Sequence, residues 1–333
     1  MATPRHGGSL DRAIAEFGGE REQWLDLSTG INPHAWPVPP VPAELWHRLP
    51  EPSLDEYCRD AAQAYYGAPE HAGIVAAPGA QALIQRLPAL VEPERRVAVV
   101  GPTYNEYERC FAAHERTVGP VREVPRPEDG FGCVVIGNPN NPDGARVGGR
   151  HDRQAIERLL AHGCMVIVDE AFGDVAPDAS FVPNCGLDGL IVLRSFGKFF
   201  GLAGIRLGFA IGSQRQCARL GAMLGPWAVP GPTLFIGGRA MRDIAWIAET
   251  RTRLMRDRQR LVTLLERAGF AIVGQTDLFV LVSHGRAPAI HADLARQHIL
   301  VRAFDYDAGW LRFGLPGDDA GFARLEGALA QAV

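Results

Sequence analysis

A guanidinium is effectively never deprotonated in a protein, whereas an ε-amine in a suitable site can lose its proton and attack a carbonyl. Of the 34 basic residues in this chain, 33 are arginine and only Lys198 is lysine. A sequence that uses arginine for every other positive charge singles out that amine as a candidate nucleophile. Lys198 closes the motif Ser195-Phe196-Gly197-Lys198, directly after the apolar run Leu190 to Arg194. Two further apolar runs end in chemistry-bearing residues. Cys133 to Gly137 leads into Asn138-Pro139-Asn140-Asn141-Pro142-Asp143-Gly144, and Met165 to Val168 leads into Asp169-Glu170-Ala171-Phe172. Ligands of α/β sheets bind beyond the carboxyl ends of the strands, which is where these three motifs fall. Each has a plain alternative. Asn-Pro-Asp-Gly is turn chemistry, an aspartate after a strand caps helices, and a lysine in a glycine-rich loop is ordinarily solvated. Their conjunction at successive strand ends is the specific signal.

Such motifs need a scaffold of parallel strands, and the sequence supplies one. Runs at 97–101, 133–137, 165–169, 190–194 and 207–212 read as buried strands. Helical patterns at 80–90, 104–114 and 153–162 separate most of them, an alternation that predicts an α/β fold with a mostly parallel, doubly wound sheet in three layers over residues 48–230. After the breaker-rich stretch 225–232, an arginine-rich amphipathic segment to about Ala268 reads as one long connecting helix. Beyond it, strands at 278–283, 299–303 and 310–315 with helices at 288–298 and from Asp318 predict a smaller α+β domain, formed by residues 231–333 together with the proline-rich segment 1–47.

Composition narrows the function. The 333 residues are 47% apolar and 22% charged with a net charge of -4, which excludes a disordered chain and offers no basic footprint for nucleic acid. Six scattered cysteines without a C-x-x-C predict neither disulfides nor a metal site, but buried thiols in a reducing, cytoplasmic setting. Charges at Arg5, Asp11 and Arg12 interrupt any apolar run like that of a signal peptide, and no apolar stretch of membrane-spanning length occurs, so no membrane partner is expected. A dinucleotide-binding module is disfavoured, because Gly201, Gly204 and Gly208 lack the spacing of G-x-G-x-x-G.

At P-T-Y (102–104), N-P-N-N-P (138–142), D-E-A-F (169–172) and S-F-G-K with Arg206 eight residues on, the chain resembles the fold-type I pyridoxal-phosphate enzymes over nearly its whole length. The resemblance implies pyridoxal 5'-phosphate as cofactor, with Lys198 bonded to its aldehyde and Asp169 paired to its pyridine nitrogen. It further implies Tyr104 stacked on the ring and Asn141 on the ring oxygen. Ser195, Arg206 and the turn at Gly79, Ala80 and Gln81 would hold the phosphate, and a homodimer is expected.

Two subfamilies share this fold, cofactor and a small phosphorylated substrate: threonine-phosphate decarboxylases, which make the aminopropanol phosphate of cobalamin, and histidinol-phosphate aminotransferases. The opening His6-Gly7-Gly8, the run S-T-G-I-N-P (28–33) and Phe172, where the aminotransferases usually carry tyrosine, resemble the decarboxylases more closely. The expected reaction is therefore decarboxylation of L-threonine O-3-phosphate to (R)-1-aminopropan-2-yl phosphate, with histidinol-phosphate transamination as the alternative. By position, His6, Gly7, Asn32, Asn141, Arg302 and Arg312 would bind the substrate, the two arginines taking its phosphate and carboxylate in one order or the other. Leu49 stands where relatives often place a tyrosine that reaches the neighbouring subunit, and Asp143 replaces a usual threonine.

Overall fold

The computed structural model describes residues 7–332, with His6 outside them. In chain order the strands are β1 (Leu25–Asp26), β2 (Gly73–Ala77), β3 (Arg96–Val100), β4 (Val118–Val121), β5 (Phe131–Gly137), β6 (Met165–Glu170), β7 (Leu190–Ser195), β8 (Gly208–Gly212), β9 (Ala271–Thr276), β10 (Phe279–Ser283), β11 (Ile299–Leu300), β12 (Arg302–Ala303) and β13 (Trp310–Gly314). Two compact units form. The larger comprises residues 36–141 and 145–247; the smaller comprises the chain up to Ala35, Pro142–Gly144 and the chain from Ala248.

The large unit is built on a seven-stranded sheet of order β2-β8-β7-β6-β5-β3-β4, in which β8 alone runs against its neighbours. The run from β5 to β7 is apolar on both faces because helices cover both: Val134, Val135, Ile167, Val168, Ile191 and Val192 are all buried. Several elements escaped the sequence reading. β2 is short and begins at Gly73, where an added Cβ would press on Cys217 and Gln214, so its signal is closeness of packing and not periodicity. β4 contains Pro120 and lies at the sheet edge, where proline is tolerated. The segment expected as one helix at 80–90 stops at Ile84 and resumes as a 3-10 turn at Leu87–Leu90, which contains Pro88.

The expected connecting helix is also two, Gly231–Ala240 and Ile244–Arg267. Asp243 makes the break. Its Oδ1 accepts from Trp246 N at 3.1 Å and its Oδ2 from Trp36 Nε1 at 3.0 Å. The second contact, and the 2.9 Å bond from Trp36 N to Phe200 O, tie the chain from residue 36 onward into the large unit. Thr233 Oγ1 bonds Ile205 O at 2.9 Å and fixes the helix Gly231–Ala240 there too. The unit edges therefore fall at 35/36 and 247/248, where the sequence expectation put them at 47/48 and 230/231.

The small unit carries a four-stranded antiparallel sheet, β12-β13-β10-β9, and the parallel pair β1-β11. Its helices are Leu10–Phe17, Ala287–Arg296 and Asp319–Ala332, with the greater part of Ile244–Arg267. The tip of the asparagine-rich loop docks on β9: a Cβ at Gly144 would collide with Gln275 O, and one at Gly274 with Asp143 O. Gly144 also has φ +70°, so glycine is required on both counts.

Candidate active site

In the large unit the candidates gather at the carboxyl ends of β5, β6 and β7 and at the turn after β2. Asp169 lies one residue from the end of β6, partly buried. Its Oδ2 accepts from Tyr107 OH at 2.7 Å and its Oδ1 from Ala171 N at 2.9 Å. Burial pushes its carboxyl above the ordinary carboxylate range, while Tyr107, Ala171 N, Lys198 and Arg194 pull the other way. Lys198 lies in the short helix Phe196–Phe199 that follows β7, with its Nζ 5.6 Å from the Phe172 ring centre. Ser195 ends β7 and precedes that helix.

Tyr104 sends its hydroxyl to Gln81 Oε1 at 3.1 Å, and Gln81 Nε2 donates to Glu106 Oε2 at 3.1 Å. Burial, and then the charges of Glu106 and Asp169, raise the Tyr104 phenol to about 12, so it is a neutral donor at working pH. Gly79 has φ +84°, and Arg206 Nη2 lies 2.5 Å from where its Cβ would stand. The Arg206 guanidinium is thus laid directly against Gly79, the residue that opens the turn before Ala80. It is exposed and donates to Ala203 O at 3.1 Å. Asn141 is the last large-unit residue before the loop tip. Its neighbour Asn140 pins the loop, donating Nδ2 to Pro102 O at 2.9 Å and N to Ala145 O at 2.8 Å.

Three features of this region had no role assigned from the sequence. Tyr107 is buried and bonded to Asp169. Asn138 is buried, accepts from Val147 N at 3.0 Å, and donates its N to Asp169 O at 2.8 Å and its Nδ2 to Ala179 O at 2.9 Å. The third is a charged cluster on the sheet's opposite face, where Arg194 Nη1 bonds Glu170 Oε2 at 2.6 Å and Nη2 lies 3.3 Å from Asp174 Oδ2. Glu170 also accepts from Ser180 Oγ and Phe181 N, both at 2.6 Å, and the guanidinium sits 4.3 Å above the Tyr66 ring. Strand pairing explains the arrangement: Glu170 stands opposite Arg194 and Asp169 opposite Leu193, so alternation sends Glu170 and Arg194 to one face and Asp169 and Ser195 to the other.

The small unit holds Gly7, Asn32, Arg302 and Arg312. Arg302 and Arg312 face each other across β12 and β13. Arg312 is buried, donates Nη2 to Ser28 O at 3.1 Å, and lies 4.8 Å from the Phe279 ring centre. Burial and then the like charge of Arg302 push its guanidinium down to about 10. Two cations set side by side, one of them desolvated, form a site whose electrostatic strain an anion would relieve. Asn32 is buried and accepts from His34 N at 2.8 Å through Oδ1, and Gly8 N donates to Ser28 Oγ at 2.7 Å. Among the described residues no helix is long and apolar enough to cross a membrane.

Residues 24–328 match the family model of class I and II aminotransferases. A threonine-phosphate decarboxylase of a Sinorhizobium species is 43% identical over 330 residues, covering 98% of this chain and 97% of the relative, and that of Pseudomonas aeruginosa is 41% identical, covering 97% and 96%. Histidinol-phosphate aminotransferase 1 of Bradyrhizobium diazoefficiens is 29% identical over 88% of this chain and 89% of its own. Among solved structures, the histidinol-phosphate aminotransferase of Sinorhizobium meliloti, in complex with pyridoxal-5'-phosphate, superposes with a TM-score of 0.84 at 18% identity, covering 99% of this chain and 95% of that one.

Proposed function

This chain belongs to the class I and II aminotransferase family and is related over its full length to threonine-phosphate decarboxylases, and from that premise we propose that it decarboxylates L-threonine O-3-phosphate to (R)-1-aminopropan-2-yl phosphate, a step of cobalamin biosynthesis. Pyridoxal 5'-phosphate is the cofactor of the family, and the residues present fit it. One amine, one carboxylate held by two donors and one guanidinium over a glycine turn are the complement that an aldehyde, a pyridinium and a phosphate require. When bound, the cofactor supplies a protonated ring that accepts the electron pair left by the departing carboxylate.

The remaining work falls to side chains. Lys198 would hold the cofactor through its aldehyde and, with its amine free, would stand as the acid that returns a proton to the substrate Cα. Asp169 keeps the ring nitrogen protonated, because an opposite charge in a water-poor site favours the charged form of its partner. Tyr104, held in rotation by Gln81, would stack on the cofactor ring, and Asn141 would hydrogen-bond the ring oxygen. Ser195, Arg206 and the backbone of Gly79, Ala80 and Gln81 bind the cofactor phosphate. Arg302 and Arg312, with Gly7 and Asn32, and with His6 from the segment outside the described residues, would hold the substrate's two anionic ends. Fixing the substrate's carboxylate in this way would decide which bond at its Cα breaks and would favour loss of CO₂ over loss of a proton.

The observation that carries the reading is the 43% identity across 98% of the chain, against 29% for the aminotransferase. The paired arginines agree with a doubly anionic substrate. The same reading makes the protein a cytoplasmic homodimer. Exposed Trp46, Leu49 and Trp227 offer apolar surface to a second copy, and the six buried free cysteines suit a reducing compartment. The test is incubation of holoenzyme with phosphothreonine alone, and separately with histidinol phosphate and 2-oxoglutarate. Release of CO₂ in the first supports the decarboxylase; glutamate in the second with no CO₂ in the first identifies an aminotransferase.

A further inference from the structure

Tyr107 is 1% exposed and packs in the core of the large unit among Val99, Cys110 and Phe111. Packing alone would be served by phenylalanine. A buried phenol without a partner is costly, so the hydroxyl needs a reason. That reason is its 2.7 Å bond to Asp169 Oδ2. The helix Glu106–Ala113 delivers it: Tyr107 N donates to Tyr104 O at 3.3 Å, so one turn of chain presents both tyrosines, their rings edge-on at 6.3 Å and 85°. The two hydroxyls then diverge, Tyr104 to Gln81 and Tyr107 to Asp169.

We propose that Tyr107 is a positioning residue of the cofactor site, its hydroxyl fixing the rotation and the charge of the Asp169 carboxylate toward the pyridine nitrogen. With Ala171 N on Oδ1 and the phenol on Oδ2, each carboxylate oxygen has one fixed donor, so rotation about the Cβ–Cγ bond would break both. The phenol donates and cannot itself compete as an anion, because burial, followed by the charge of Asp169, drives its ionisation far above the ordinary tyrosine range. The charged and titratable groups that bear on Asp169 are Tyr107 from the helix Glu106–Ala113, Lys198 from the helix Phe196–Phe199 and Arg194 from β7, with Ala171 N as the backbone donor. Asp169 in turn bears on Tyr104. Of these, Tyr107 alone donates a side-chain hydrogen bond to the carboxylate among the bonds described. Removing it takes away a stabiliser of the ionised form, so Asp169 titrates at higher pH.

Tyr107→Phe keeps the ring and the packing and deletes only the oxygen. Titration of apoprotein with pyridoxal 5'-phosphate, read by cofactor absorbance, is expected to show about tenfold weaker binding, the scale of one hydrogen bond to a charged group. The acid limb of kcat/KM against pH should move upward. In an Asp169→Ala background the same substitution should weaken cofactor binding no further, because its acceptor is gone. A Tyr107→Phe protein with unchanged cofactor affinity and an unchanged acid limb overturns the proposal. So does an undiminished Tyr107→Phe loss in the Asp169→Ala background, which would make the tyrosine a packing residue acting independently of the carboxylate. The cofactor belongs to the whole family, so these outcomes stand apart from the choice between decarboxylase and aminotransferase.

Discussion

At the scale of single residues, the sharpest prediction concerns Lys198. Borohydride reduction of holoenzyme followed by peptide mapping should place the phosphopyridoxyl label on the peptide that holds residue 198. Lys198→Arg should keep the positive charge and lose turnover, since a guanidinium forms no exchangeable bond with the aldehyde; measurable steady-state turnover by that variant would refute the role. Asp169→Asn should cost about 3 kcal/mol of barrier, roughly a hundredfold in kcat, because an amide cannot stabilise the pyridinium as a carboxylate does. As candidates these two residues were legible because their types are unusual where they stand, a lone lysine and an acid directly after an apolar run. Tyr107 was not legible. A tyrosine inside a helical pattern reads as core, and only the coordinates reveal a carboxylate at the far end of its ring.

At the scale of elements, the sequence identified the buried, continuously apolar strands of the large sheet and missed β2 and β4. The runs ending at Gly137, Asp169 and Arg194 correspond to β5, β6 and β7 within two residues, because a strand covered on both faces must be continuously apolar. The same logic hid the Arg194, Glu170 and Asp174 cluster, since buried charges contradict the pattern by which buried strands are recognised. Its stability consequence is large. Glu170→Ala leaves a desolvated guanidinium short of a carboxylate and also strips Ser180 and Phe181 of their acceptor. A loss of about 3–5 kcal/mol is expected, read as a lowered urea midpoint with an unchanged slope. A loss under about 1 kcal/mol would mean that the charge is met by other groups.

At the scale of the molecule, the proposed tasks divide between the units: the cofactor candidates lie in the large one and the arginine pair in the small one. Arg302→Ala and Arg312→Ala should therefore lower kcat/KM for phosphothreonine about a hundredfold or more, while cofactor colour and affinity hold. Cofactor loss in either variant would argue against the division. Composition and alternation gave the fold class at this scale, but the unit edges lay beyond them, because they are set by contacts such as Trp36 to Asp243 that join residues far apart in sequence. The seating of Pro142–Gly144 on β9 has a consequence for heredity. The small unit is drawn from three separate stretches of the gene, the middle one three codons long, so no single crossover between two diverged copies can exchange it whole. A recombinant that joined the ends of one parent to the middle of another would bring Asp143 and Gly144 of one lineage against Gly274 and Gln275 of the other. Chimaeras should thus fail first at that glycine contact and recover when those three codons travel with the C-terminal segment.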